Sequence, residues 1–297
     1  MKGFKRLFSI ITIGVMVFSI VGCNNDTNIQ DNSNDKVTDA GVDKEDNKDD
    51  DKLNLNLLLD SAFNNFRDAK SYTVSMNIAG TLESGGVEFG VNADTNADII
   101  FEPLYLKKTT SVSESEISSL VTDLYAVSEN NVVNVYKNTG DGWIQEEISS
   151  DGKDDFVNEE NVADDILNIE NIITEITLAN EEASGDIVEV KAKIPADKAE
   201  DFLKGVDVLS YVGLDGSVDN AFKGIQDIDV RLLVDLKTVE IVEFYCDLSD
   251  AVQTVIDNTM SAFEESSEIE KLKANKYDLT IKLNNYNEVE KSDIPNQ

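Results

Sequence analysis

The sequence predicts an α+β fold in which one strongly curved antiparallel sheet is wrapped around amphipathic helices. The first observation is that apolar residues alternate with polar ones in about eleven stretches, most of them separated by short turns. The second is that about four other stretches carry apolar residues at intervals of three to four. Strands with one apolar face must cover it, and the helices are the available cover.

The folded part begins near Leu53 with a helical stripe that leads into a long hairpin. The stripe consists of Leu55, Leu59, Ala62, Phe66 and Ala69. The period then changes to two, and the alternating apolar residues are Tyr72, Val74, Met76, Ile78 and Leu82. After the turn "ESGG", the alternation resumes from Val87 to Phe101, which predicts two long paired strands.

The remaining elements follow from the same two periods. Strands are predicted at 104–112, 122–128, 132–137, 142–148, 172–178, 188–194, 228–236, 242–248 and 277–283. One helical stretch carries Phe156, Val162, Ile166 and Ile169. Another opens at Pro195 and turns Phe202, Val206, Leu209 and Val212 inward, and a last one covers 252–263.

The N-terminal segment has the pattern of a lipoprotein leader. Lys2, Lys5 and Arg6 precede an uncharged run from Leu7 to Val21, which is shorter than the roughly 20 residues that span a membrane. The run ends at Gly22 and Cys23, and this pattern resembles the bacterial lipobox. The resemblance implies that 1–22 is a signal peptide and that Cys23 carries a diacylglyceryl anchor on the extracytoplasmic face of the cell membrane. The alternative is an incidental cysteine beside an ordinary cleavage site.

Residues 23–52 are predicted to be the lipidated cysteine and an acidic disordered tether. From Asn24 to Lys52 there are ten acidic residues, four lysines and no aromatic residue, so the segment has little apolar surface to bury. A calcium loop is the alternative, but the spacing of acidic residues that such a loop requires is missing. The whole chain has 25 basic and 59 acidic residues, which predicts no nucleic-acid partner and leaves membrane anchoring to the lipid.

Nothing in the sequence favours an enzyme or a cofactor. Histidine is absent from the chain, which excludes His-based acid–base catalysis and Ser-His-Asp triads. Cys246 lies on the apolar face of a predicted strand, so a buried core thiol is favoured over a nucleophile. The carboxylate pairs Glu159–Glu160 and Asp164–Asp165 would serve a glycosidase only if they met in a cleft.

Two further motifs each have a functional and a purely structural interpretation. Asp94, Asn96 and Asp98 have calcium-loop spacing, but Ile99 stands where the loop requires glycine, so the outward face of a strand is favoured and no metal site is predicted. Trp143 follows the turn "NTGDG" at the start of a strand. A packing anchor is favoured there over a ligand platform.

The order of these elements and two of the segments resemble a known family. Their order, the opening "SAFNNFRDAKSYTVSMNIAG" and the hairpin "VYKNTGDGWIQEEI", with Tyr136 and Trp143, resemble the LolA/LppX-type lipoproteins of bacterial envelopes. The resemblance covers 53–290 and leaves 291–297 as a flexible tail. It implies an unclosed half-barrel of about eleven strands, with helices on its concave side and a hydrophobic cavity that holds lipid acyl chains.

Two functions are therefore expected. The first is binding of a lipid or other apolar ligand between sheet and helices; the alternative is an anchored structural or protein-interaction module with a filled core. The predicted cavity wall is Val74, Met76, Ile78, Val190, Ile194, Val230, Leu232 and Val234, and the lid is Phe66, Phe202 and Leu209. The sequence identifies neither the ligand, nor a protein partner, nor the oligomeric state.

Overall fold

The computed structural model describes residues 53–114, 119–130, 132–179, 185–214, 218–262 and 272–293. The predicted signal peptide, the predicted lipidation site Cys23 and the predicted acidic tether lie outside the described residues. Within those that are described, no helix has the length and apolar character needed to cross a membrane.

The described elements are eleven strands and five helices. The strands are β1 (Ser71–Ser84), β2 (Val87–Ile100), β3 (Tyr105–Glu114), β4 (Ser119–Glu129), β5 (Val132–Asn138), β6 (Trp143–Ser149), β7 (Thr174–Leu178), β8 (Ile187–Ile194), β9 (Ile228–Asp235), β10 (Glu240–Asp247) and β11 (Leu272–Asn284). The helices are α1 (Leu55–Arg67), α2 (Lys153–Glu160), α3 (Asp164–Ile169), α4 (Ala196–Gly205) and α5 (Ser249–Ser261). Short 3₁₀ turns occupy Ser150–Gly152 and Ser210–Val212.

All eleven strands belong to one antiparallel sheet that does not close. Their order is β6-β5-β4-β3-β2-β1-β11-β10-β9-β8-β7, so each half of the chain forms a meander. The two meanders join where the first and last strands pair, with Val74 opposite Leu283 and Ile78 opposite Leu279. The result is an α+β fold with an open sheet, as the alternating periods predicted.

The core lies on one face of this sheet, beneath the helices. Every second residue of β1 is buried, including Val74 and Ile78, while Thr73 and Ser75 point to the other face. The helices contribute buried side chains such as Phe63 of α1 to the same apolar cluster. Burial of this face on folding supplies the main stabilising term.

The sequence predicted one helical stretch where the chain forms two. Asn161 ends α2 with an extended backbone conformation (ψ 92°), and α3 begins only at Asp164. The side-chain oxygen of Asn161 accepts a hydrogen bond from the backbone N–H of Ala163 at 3.2 Å, which stabilises the break. The prediction of one continuous helix was therefore wrong, because a polar residue that competes for backbone hydrogen bonds interrupts the stripe.

Three of the inward residues predicted for α4 lie beyond its end. The helix ends at Gly205, Val206 caps it, and Leu209 and Val212 belong to the following 3₁₀ turn and its flank. All three are nevertheless buried in the core. The spacing of apolar residues continues past the end of α4 because the following 3₁₀ turn packs on the same core.

A second apolar cluster lies on the outward face of the sheet. Its buried members are Tyr105, Tyr125, Val127 and Tyr136, and Trp143 packs against them, which confirms the packing role predicted for the tryptophan. The chain after β11 covers this cluster: the Tyr125 hydroxyl donates to the backbone oxygen of Ser292 at 3.1 Å, and Val289 packs beside the rings. Ser292 lies in the segment that the sequence predicted as a flexible tail.

Candidate functional site

A cleft of about 250 Å³ opens where three helices meet one end of the sheet. It lies between the C-terminal end of α1, the first residues of β1, the connection from β2 to β3, and helices α2 and α3. Its lining consists of Phe66, Arg67, Tyr72, Phe101, Glu102, Lys153, Asp154, Val157, Asn158, Asp164 and Leu167. The volume is just below the roughly 300 Å³ at which ligand pockets begin.

Three aromatic rings, together with Val157 and Leu167, form the apolar part of the cleft. The ring centroid of Tyr72 lies 5.2 Å from that of Phe66 and 5.6 Å from that of Phe101. Phe66 and Tyr72 are 2% exposed and belong to the main core. Side chains of the main core therefore form part of the wall of the cleft.

A hydrogen-bonded group of three polar side chains stands beside these rings. The Asn161 amide nitrogen donates to the Tyr72 hydroxyl at 2.7 Å and to Asp164 Oδ1 at 2.5 Å. Among the hydrogen bonds of the described residues, the Tyr72 hydroxyl only accepts, so its own hydrogen remains available to a group in the cleft. Asn161 fixes the positions of the other two side chains.

Burial changes the acidity of two members of this group. It raises the pKa of the Asp164 carboxyl to about 6, although the hydrogen bond from Asn161 works in the opposite direction. Burial also raises the pKa of the Tyr72 hydroxyl well above its ordinary value. At neutral pH, the cleft thus presents a neutral phenol beside a carboxylate that titrates close to the physiological range.

Charged groups line the rest of the cleft. Lys153 donates to the Phe101 carbonyl oxygen at 3.2 Å and to Glu102 Oε1 at 2.5 Å. Arg67 pairs with Glu170, the residue that follows α3. With Asp154 and Asp164 included, the lining holds three carboxylates and two cations, so its formal charge is negative when all five are ionised.

The predicted cavity wall lies in the packed core. Six of its residues have an exposed fraction of 0%, namely Val74, Ile78, Val190, Ile194, Leu232 and Val234. Met76 and Val230, with the predicted lid residues Phe202 and Leu209, are 3–7% exposed. A side chain with no accessible surface does not border a void that admits water. Of the whole predicted set, only Phe66 lines the cleft, and ligand binding by the others stays a prediction.

Of the other sequence candidates whose side chains the structure describes, only Asp164 lines the cleft. Cys246 is a free thiol with an exposed fraction of 0%, and burial raises its pKa, which agrees with the predicted core role. Asp98 and Asn96 lie on the outward face of β2, where they accept hydrogen bonds from Thr73 and Ser75 of β1 at 2.7 and 2.6 Å. In the described ranges, no group of three His, Cys, Asp or Glu side chains is arranged to hold a metal ion.

Sequence reasoning missed the polar group of the cleft. Tyr72 was assigned only to the apolar face of a strand, and Asn161 was not singled out. The usable signal was the pair Asn161 and Asp164 inside an apolar stripe, because polar residues on a buried helix face require partners. In the sequence, Asp164 is one half of the acidic pair Asp164–Asp165, which by itself does not indicate a site.

Comparisons with known proteins leave the family open. No protein family matches the chain, and no curated protein matches it. Among solved structures, it is similar to a DUF1329 family protein from Desulfovibrio piger ATCC 29098, with 8% sequence identity. The match covers 78% of this chain and 91% of that one, at a TM-score of 0.23.

Proposed function

We propose that this chain is a lipoprotein anchored through Cys23 to the extracytoplasmic face of a bacterial cell membrane, and that its folded domain binds a lipid or other apolar ligand. The ligand would lie between the sheet and the helices of a LolA/LppX-like half-barrel. The observation that carries the binding proposal is the cleft whose wall includes the core side chains Phe66 and Tyr72. Its aromatic interior and charged rim suit an amphiphile.

The volume of the cleft sets a condition on this function. At about 250 Å³ it holds a short apolar group, and a longer chain would reach the inner face of the sheet only if helices moved. Helices α2 and α3 are the elements whose movement would enlarge the cleft, because both line it and both are short. Binding of a long acyl chain would therefore open this part of the domain.

The test of ligand binding uses the processed chain, residues 23–297 with Cys23→Ser, purified without detergent. Native mass spectrometry is expected to show a bound species that organic extraction releases as a lipid. Val157→Trp places an indole at the cleft and should reduce the bound fraction, whereas Val87→Trp, the same substitution at an exposed position outside the cleft lining, is the control. Complete absence of bound species from lipid-exposed protein would contradict the proposal.

The second candidate is an anchored interaction module with a filled core. Its specific support is the set of six wall residues with no accessible surface, because packing of this kind leaves no room for a ligand without rearrangement. If the processed chain carries no lipid, and Val157→Trp only destabilises it, this candidate replaces the first.

The anchor has its own test. Cells that express the full chain should incorporate labelled fatty acid into it, and Cys23→Ala should abolish the label and the membrane association. Cys246→Ala is the matched control, because Cys246 is the only other cysteine in the chain. Label that persists in Cys23→Ala would contradict the lipobox interpretation.

A further inference from the structure

The cleft combines an unused hydrogen-bond donor with a partly buried acceptor. The Tyr72 hydroxyl accepts a hydrogen bond from Asn161 but has no acceptor for its own hydrogen among the described residues. Asp164 supplies a carboxylate, and the same Asn161 nitrogen bonds both groups, so they stand within two hydrogen-bond lengths of each other. A buried hydroxyl without an acceptor is costly unless a ligand or water supplies one.

The charges of the cleft argue against an anionic ligand. Glu102, Asp154 and Asp164 outnumber Arg67 and Lys153. Both cations already have carboxylate partners, Glu170 for Arg67 and Glu102 for Lys153. The chain as a whole carries a formal net charge of −34, which repels anions approaching from solution.

We infer that the cleft recognises the headgroup of a neutral, hydroxyl-bearing amphiphile such as an acylglycerol. Asp164 accepts a hydrogen bond from a ligand hydroxyl, and the Tyr72 hydroxyl donates to a ligand oxygen. The apolar chain then contacts Phe66 and Phe101. This inference rests on the proposed ligand-binding function and adds the chemical class of the headgroup.

A cationic headgroup would also be attracted by the carboxylates, but the Tyr72 hydroxyl would then gain no hydrogen-bond acceptor. Its hydrogen requires an acceptor, which a quaternary ammonium does not provide. A glycerol ester supplies hydroxyl hydrogens and ester oxygens together, and so satisfies both protein groups. Tyr72 and Asp164 thus favour a neutral headgroup.

The experiment compares three ligands that share an eight-carbon chain: 1-octanoylglycerol, methyl octanoate and octanoate. Affinities for the processed chain are measured by titration calorimetry at pH 7.5. The glycerol ester is expected to bind about tenfold more tightly than the methyl ester, since only the glycerol ester offers a hydroxyl hydrogen to the Asp164 carboxylate. Octanoate is expected to bind most weakly.

Two variants test the assigned atoms. Asp164→Asn should weaken binding of the glycerol ester roughly three- to tenfold and leave the methyl ester unaffected, because only the glycerol ester has a hydroxyl. Tyr72→Phe should weaken binding of both esters roughly three- to tenfold, because both have an ester oxygen. Tyr286→Phe is the matched control: it removes a buried hydroxyl from a ring 6.3 Å from Tyr72 but outside the cleft lining. It should lower stability without changing either affinity.

The pH dependence of the affinity provides a further test, because a purely structural role of Asp164 would not change it. Lowering the pH from 7.5 to 5 should weaken binding of the glycerol ester to the parent chain and not to Asp164→Asn. The charged and titratable groups at the cleft, besides Asp164, are Tyr72, Arg67, Glu102, Lys153 and Asp154, and all are unchanged in that comparison.

The two levels of the proposal fail differently. If methyl octanoate binds as tightly as the glycerol ester and the variants change neither, the headgroup inference is overturned while ligand binding stands. If octanoate binds most tightly, the neutral-headgroup inference is likewise overturned. If none of the three ligands binds and mass spectrometry finds no lipid, the proposed function falls together with the inference.

Discussion

Gly80 faces Tyr277 across the pairing of the first and last strands, and no side chain fits between them. The two residues are direct partners in the β1–β11 register. A Cβ placed on Gly80 would lie 2.7 Å from Cδ2 of the tyrosine ring. The ring is fixed from its other end, because its hydroxyl donates to the Val208 carbonyl oxygen at 2.6 Å. Glycine is therefore required where the two meanders join.

Gly80→Ala is expected to destabilise the domain by about 1–3 kcal/mol, because the ring of Tyr277 or the backbone must move to admit the methyl group. Chemical denaturation gives the free energy of unfolding. Gly90→Ala is the control, since the Cβ of the new alanine would have the Gly80 backbone oxygen as its nearest neighbour, at an ordinary contact distance of 3.9 Å. Equal losses in the two variants would show that strand conformation, and not the tyrosine ring, sets the cost.

Asp164 should make stability depend on pH in an unusual direction for an acid. Its folded-state pKa of about 6 lies above the ordinary 3.8, so between these values the folded chain binds the proton more tightly than the unfolded chain. The protonated Asp164 carboxyl therefore contributes favourably to the free energy of unfolding below pH 3.8, and this contribution is lost as the pH rises through 6. Relative to Asp164→Asn, the parent chain should lose roughly 1 kcal/mol of unfolding free energy between pH 4 and 7, a value reduced for solvent screening.

Denaturant titrations across that pH range provide the measurement. Asp154→Asn is the control, because it removes an exposed carboxylate from the same cleft without relieving a buried one. If the difference between the parent chain and Asp164→Asn does not change with pH, the carboxyl is not held in a desolvated position.

Glu160 should contribute more than a surface ion pair. Its side chain is 14% exposed and pairs with Lys108, on the inward face of β3, and with Lys137 at 3.9 Å. Glu160→Gln leaves a partly buried ammonium without its carboxylate, and should cost about 1–3 kcal/mol. In contrast, Glu200→Gln, which breaks a pair that is half-exposed on both sides, should cost at most about 0.5 kcal/mol.

A double-mutant cycle with Lys108→Met isolates the coupling between the two side chains. The double variant should recover part of the loss, because no unpaired charge then remains in the partly buried site. Additive losses would mean that α2 is held to the sheet by its apolar contacts, such as those of Phe156, and not by this ion pair.

The sequence predicted the strands well because each one buries a single face. The alternation of Tyr72, Val74 and Met76 with polar neighbours is a direct consequence of a core on one side of the sheet. The order of the strands could not be read in the same way. Pairing of β1 with β11 joins residues about two hundred positions apart, and no local pattern encodes such a contact.

The candidate site was less predictable than the fold. Its geometry depends on the break at Asn161, which places one amide between a tyrosine of β1 and an aspartate of α3. Apolar periodicity treats Tyr72 as core and cannot show that its hydroxyl reaches a cleft. The outward tyrosines were missed for a related reason: the chain after β11 returns over Tyr105 and Tyr125 and hydrogen-bonds to both hydroxyls.

Leu232→Trp distinguishes a filled core from a ligand cavity at the centre of β9. Leu232 has no exposed surface and lies opposite Val190 and Phe244 in the neighbouring strands. In a permanently packed core, the added volume should cost about 1–3 kcal/mol. If helices move to admit a ligand, the indole should instead take up part of that space, so that bound lipid falls while stability changes little.

Both quantities should be measured on one preparation, the free energy of unfolding by denaturation and the bound lipid by native mass spectrometry. Leu233→Trp is the matched control, because the neighbouring residue points to the outward face and is half-buried. It should change neither quantity by much. A large loss of stability in Leu232→Trp, together with a parent chain that carries no lipid, would favour the interaction module over the carrier. Loss of lipid at nearly unchanged stability would support a ligand site that reaches the inner face of the sheet.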